Sequence, residues 1–140
     1  MKSGYEVYDH GADIGVRGWG PSLEQAFVQG ATAMFSLMTE DMQSVNATAE
    51  VRIEAQGYDL ESMFVAWLNS LLTEADLHGL ILTEFKVQIK DNFTLSGTAR
   101  GEPFAALAGG PGVEVKGATF CQTAVYEDGG TWVAQCVVDV

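Results

Sequence analysis

Short runs of strict two-residue alternation, joined by connections of only a few residues, constrain this chain more than any other feature. Glu50 to Gln56 sets Val51, Ile53 and Ala55 against Arg52 and Glu54, the pattern of a half-buried strand. Leu82 to Ile89 alternates through Phe85, Val87 and Ile89, Asp91-Asn92 turns the chain, and Phe93 to Ala99 alternates again. Tyr5 to His10 and Ile14 to Gly20 read as two strands around an acidic turn. In the second of these, Ile14, Val16 and Gly18 share one face and Arg17 and Trp19 the other. Val113 to Tyr126 and Thr131 to Val140 read as a closing hairpin around Asp128-Gly129. A parallel crossover needs a dozen or more residues, so most of these connections dictate antiparallel pairing.

Two segments change period to that of a helix. Ser22 is placed to cap the first, with Gln25 completing a capping box. Leu23, Phe27, Ala31, Met34, Phe35 and Met38 then recur on one side. Asp59 caps the second, which runs from Leu60 to about His78 with Met63, Phe64, Trp67, Leu68, Leu71 and Leu72 on its apolar side. Gly79 is a natural C-terminal stop. The expected fold is α+β, a mainly antiparallel sheet covered by two helices, in one domain over residues 1–140.

A hydrophobic fraction of 47% suits a folded, water-soluble domain. The formal net charge of −12 repels phosphate backbones and argues against direct nucleic-acid binding. It favours a cation or a partner with a basic surface. No apolar run is long enough to cross a bilayer, and Met1 to Glu6 has no apolar signal core, so the cytoplasm is the expected location. Cys121 and Cys136 would face one another if Asp128-Gly129 formed the hairpin loop, and read as small buried hydrophobes in a reducing compartment.

Three features carry possible chemistry. Asp9, His10 and Asp13 crowd one turn, where they can bind a cation, move a proton or cap the backbone. The chain finishes Val138-Asp139-Val140, still strand-like, with a side-chain carboxylate beside an α-carboxylate. Should the two ends meet, anionic oxygens converge in the manner that suits Ca²⁺ or Mg²⁺. Glu114 and Lys116, two apart, point to one face of an extended segment. A P-loop, a dinucleotide glycine fingerprint, a nucleophile elbow and a zincin motif are all absent from the sequence. An acid–base hydrolase built on Asp9, His10 and Asp13 therefore has no accompanying substrate motif.

Asp-His-x-Ala-Asp-Ile-Gly at 9–15, Ser22 to Phe27, Ala33 to Met38, Leu60-Glu61-Ser62, Trp67 to Leu72, Gly79 to Leu82, Glu114-Val115-Lys116 and Val138-Asp139-Val140 together resemble the archease family. The resemblance spans almost the whole chain in order. It implies a small cytoplasmic, non-enzymatic accessory protein that activates a GTP-dependent RNA ligase in tRNA splicing or RNA repair, promoting the ligase's guanylylation and turnover. It further implies a divalent metal, Ca²⁺ or Mg²⁺/Mn²⁺, held by Asp13, Asp139 and Val140. Asp9, His10, Glu114 and Lys116 would belong to the activating face. The alternative is a general chaperone or scaffold for RNA-processing proteins, with a purely structural metal. The chain departs from the family pattern at Gly11, where threonine is usual, at Gly117 and Cys121, and in the 104–112 loop, which lacks the usual Lys-His pair. Phe104, Leu107 and Pro111 of that loop are candidates for partner contact.

Overall fold

Ser22 and Asp59 start the two helices as their side chains dictate. The computed structural model describes residues 2–39, 41–106 and 112–140. The Ser22 hydroxyl accepts the Gln25 N–H at 3.1 Å and opens helix α1, Leu23–Ser36. Asp59 accepts the Ser62 N–H at 2.7 Å, while the Ser62 hydroxyl accepts the Asp59 N–H at 3.1 Å. That reciprocal box opens α2, Leu60–His78, and Gly79 closes it in the left-handed conformation at φ 64°. Helix α1 stops two residues short of Met38, although Leu37 and Met38 still pack against the core.

Around the helices lie β1 (Gly4–His10), β2 (Asp13–Gly20), β3 (Ala49–Gln56), β4 (Leu80–Lys90), β5 (Thr94–Pro103), β6 (Gly117–Ala118), β7 (Ala124–Asp128) and β8 (Thr131–Asp139). They form two sheets, not one. A five-stranded sheet runs β1-β2-β8-β6, with β7 also on β8, and a three-stranded sheet runs β3-β5-β4. Every pairing is antiparallel, as the short connections require.

Helix α1 contacts β2, β8 and β4, so it bridges the two sheets, while α2 lies mainly on β3. A Cβ on Gly18 would sit 2.1 Å from the Gly30 backbone nitrogen, so this glycine lets α1 settle directly on β2. Phe27, Phe35, Phe64 and Trp67 are fully buried between the layers. The Trp67 indole donates to the Phe27 carbonyl at 3.0 Å, and the Phe27 and Phe64 rings pack with centroids 5.0 Å apart. These contacts join the helices and satisfy the one polar atom of the tryptophan.

The closing hairpin differs from its sequence reading. Asp128 pairs with Thr131, so Gly129-Gly130 form the loop, both at positive φ. That is the backbone a tight hairpin turn demands, and glycine meets it without strain. Expected pairing of Cys121 with Cys136 is lost, because Gln135 faces Ala124 and Cys136 faces Val16 of β2. Nor does one strand cover Val113 to Tyr126. Ala118 faces Val138 and Ala124 faces Gln135, so six steps on one side advance against three on the other. The surplus forms a wide bulge that leaves Phe120 and Cys121 exposed. Cys121 is therefore not the buried hydrophobe expected, whereas Cys136 is fully buried and its thiol is pushed up to about 12 by desolvation. Phe93 likewise belongs to the β4–β5 turn, at φ 53°, and the strand begins at Thr94.

Candidate functional site

One end of the five-stranded sheet gathers three chain segments. The β1–β2 turn spans Gly11-Ala12, with Gly11 at φ 62°. A glycine at the first central position is what so short a loop favours. The turn sets His10 directly opposite Asp13. On the other side of β2, Ile14 faces Val138, and one step further along that register brings Asp13 across from Asp139. Asp139 in turn faces Gly117 of β6, and its carbonyl accepts the Lys116 N–H at 2.8 Å. His10, Asp13 and Asp139 thus form one row across three strands, with side chains on a common face.

That face is the one turned away from α1, since Gly18 and Val16 occupy the other. Beneath the acidic row lie Tyr8, Gly15 and Val137. The Tyr8 ring lies flat over Gly15, where a Cβ would come within 2.1 Å of it. The Arg17 guanidinium stacks 4.6 Å from the ring centroid, donates to the Gln135 Oε1 at 2.9 Å and pairs with Glu6. Burial raises the Tyr8 phenol above its ordinary range, with Arg17 pulling the other way. The ring is a rigid floor under the acidic row.

The sequence-derived residues divide accordingly. His10 and Asp13 are half-buried and Asp139 is exposed at the tip. Val140 packs its side chain against the core and so anchors the end of β8. Asp9 pairs with Ile14, whose side chain packs inward, and it points to the opposite face from His10. Glu114 and Lys116 are exposed on either side of buried Val115, in an extended segment outside any sheet. Among the described residues no three His, Cys, Asp or Glu side chains converge closely enough to hold a metal ion. The carboxylates of Asp13 and Asp139, on one face of adjacent strands, are oxygen ligands of the kind that hard cations take.

Asn69 is the residue that sequence reasoning passed over. From the flank of α2 its amide donates to the Ala118 carbonyl at 3.1 Å and its Oδ1 accepts the Ala118 N–H at 2.9 Å. This double bond straps two-residue β6 onto the helix, and with it the Glu114–Lys116 segment that leads into the tip. An asparagine in the middle of a helix pays in helix propensity, and that was the signal available. Phe104 is exposed at the end of β5, whereas Leu107 and Pro111 lie outside the described residues. No described helix is long and apolar enough to cross a membrane.

Comparison with known proteins gives a consistent result over the whole chain. The model of the Archease protein family matches residues 5–140. A protein archease of Sulfolobus acidocaldarius is 39% identical over 137 residues, covering 97% of this chain and 98% of the relative. A protein archease of Pyrococcus furiosus is 37% identical over 140 residues with the same coverage. The solution structure of a Methanobacterium thermoautotrophicum protein superposes with a TM-score of 0.82 at 33% identity, over 98% of this chain and 99% of that one. The crystal structure of a Thermotoga maritima archease, described as a possible chaperone, shares the fold at a TM-score of 0.62 and 20% identity, over 95% and 94% of the two chains.

Proposed function

This chain belongs to the archease family, and from that premise we propose that it is a cytoplasmic, metal-binding accessory protein that activates a GTP-dependent RNA ligase. The observation that supports this most is the strand register. Pairing of β2 with β8 runs to Ile14 opposite Val138, which makes Asp13 and Asp139 the next positions across the two strands, and the Lys116 N–H bonded to the Asp139 carbonyl brings the Glu-Val-Lys segment beside them. Asp13, Asp139 and Val140 would hold Ca²⁺ or Mg²⁺/Mn²⁺. A bound cation would neutralise carboxylates that otherwise repel across the strands, and would tie the ends of β2 and β8 together.

The acidic tip, with His10, Glu114 and Lys116 around it, is the surface we assign to the ligase. A ligase site that holds RNA and GTP must be basic, so an acidic activator finds it by charge complementarity. Asp9 contributes only to the field, since it faces the other way.

The test is single-turnover guanylylation of the cognate ligase with GTP and divalent metal, with and without this protein. The expected outcome is a clear rise in rate that fails for Asp13→Ala and for Asp139→Ala. An unchanged rate with Asp139→Ala, accompanied by a lowered melting temperature, would instead identify a scaffold with a structural metal. No rise with the wild-type chain and a demonstrably active ligase would sink the activator reading.

A further inference from the structure

Next to the tip, a groove of about 790 Å³ runs between the last turns of α2 and the 114–116 segment. Its apolar lining includes Leu72, Leu80, Val115 and Phe104, and its charged lining is Asp76, Glu114 and Lys116. Phe104 is 45% exposed on the rim. An aromatic ring left in water there is the kind of group that anchors an interface.

The charges have a direction. Asp76 stands in the last turn of α2, where the helix carbonyls already make the potential negative and an acid is out of place. Among the described residues no lysine or arginine forms an ion pair with Asp76 or Glu114. The two acids, the helix end and the net charge of −12 all attract a cation, against the single opposing charge of Lys116. The groove is also continuous with the tip, because the Lys116 N–H is bonded to the Asp139 carbonyl at 2.8 Å.

We infer that this groove docks a segment of the RNA ligase bearing a large apolar side chain flanked by lysine or arginine, an inference that rests on the activator role proposed above. The apolar side chain packs beside Phe104 over Leu72 and Leu80, and the flanking cation meets Asp76 and Glu114. Docking there fixes the approach of the tip, since one wall of the groove is the segment that leads into it.

The experiment measures the affinity of the purified cognate ligase for the full chain carrying Phe104→Ser, Asp76→Lys, or both. Glu50→Lys, on the exposed polar face of β3, serves as the control for charge. Loss of an anchor and its charged neighbour is expected to raise Kd by about tenfold or more, with the control close to wild type. The Asp76→Lys contribution should shrink as salt is raised. Guanylylation should return when the double variant is added at high concentration. Asp76→Lys places a cation at a helix C-terminus, which favours the helix, so weakened binding by that variant cannot be ascribed to unfolding. Wild-type affinity for the double variant, with the wild-type chain still stimulating the ligase, would overturn the groove and leave the activator role standing. A wild-type chain that neither binds nor stimulates the ligase would overturn both.

Discussion

The two sheets follow the same pairing rule and finish differently. In the three-stranded sheet β3 and β5 stay in register from Ala49 opposite Gly101 to Gln56 opposite Thr94, and β4 follows with one shift between Leu82 and Glu84. Its outer rows, such as Arg52-Thr98-Lys86 and Glu54-Ser96-Gln88, are wholly polar, and its inner rows are buried or half-buried against the core. The five-stranded sheet is equally regular where Gly20 meets Trp132. At the other end it has a glycine turn, a two-residue strand, a wide bulge and a strand edge held by Asn69. A sheet whose ladder satisfies its own backbone is a scaffold. Where the ladder runs out, side chains must supply the missing bonds, and here the acids of the site collect.

This contrast breaks if the two regions do not share one cooperative core, and Trp67→Ala tests that with the largest expected effect. Trp67 is fully buried, packs over Gly97 of β5 and is bonded to α1 through Phe27. Its truncation should cost about 3–5 kcal/mol in urea unfolding, from lost burial plus the cavity left behind. Both sheets should lose amide-exchange protection together. Retention of protection in β3, β4 and β5 alone would show two separable units.

Asn69→Ala sharpens the contrast, because it should loosen the irregular end and spare the regular one. Ala118 would lose a partner for both its N–H and its carbonyl. Since β6 is only half-buried, water can replace part of this, and a cost of about 2 kcal/mol is expected. Faster amide exchange should be confined to β6 and the end of β8, with β3–β5 unchanged. The variant should also stimulate guanylylation less than wild type at temperatures where both are fully folded. Uniform loss of protection would mean that the strap supports the whole fold and not the tip.

The same contrast explains what could be read in the sequence. Ser22, Asp59 and Gly79 act within a few residues of themselves, so they fix helix ends by local hydrogen bonds and local φ. Strands of the regular sheet advertise their faces by alternation. The last hairpin misled for a definite reason. Asp128-Gly129 is a good turn dipeptide, but Gly129-Gly130 supplies two positive φ values, and that choice moves every partner of β7. Alternation from Val113 onward runs into a bulge held by Thr119, whose N–H and hydroxyl both donate to the Val137 carbonyl, beside the strand that distant Asn69 straps in place. Two sheets in place of one were not legible either, because division depends on which strands α1 bridges. Of the site, Asp13 and Asp139 could be picked out by residue type, but their apposition depends on the β2–β8 register, a contact between opposite ends of the chain.

The smallest expected effect separates the sheets by pH. Cys136 is fully buried on β8, and its thiol keeps its proton to about 12, mainly because burial penalises the thiolate. In the unfolded chain the thiol ionises around its ordinary 9.0. Between those values the unfolded state binds fewer protons than the folded one, so stability falls as pH rises. It is intact below pH 9, and the slope approaches about 1.4 kcal/mol per pH unit for one such group. The buried positions of the three-stranded sheet, from Val51 and Ile53 on β3 through Leu80, Ile81, Leu82 and Phe85 on β4 to Leu95, Ala99 and Gly101 on β5, carry no ionisable group, so this part of the alkaline loss enters through the five-stranded sheet. Urea midpoints at about pH 8 and about pH 10 should differ for the wild type and converge for Cys136→Ala, leaving only the later contribution of Tyr8, whose phenol is also raised. An equally steep decline below pH 10 in Cys136→Ala would remove the buried thiol as its cause and, with it, this distinction between the two sheets.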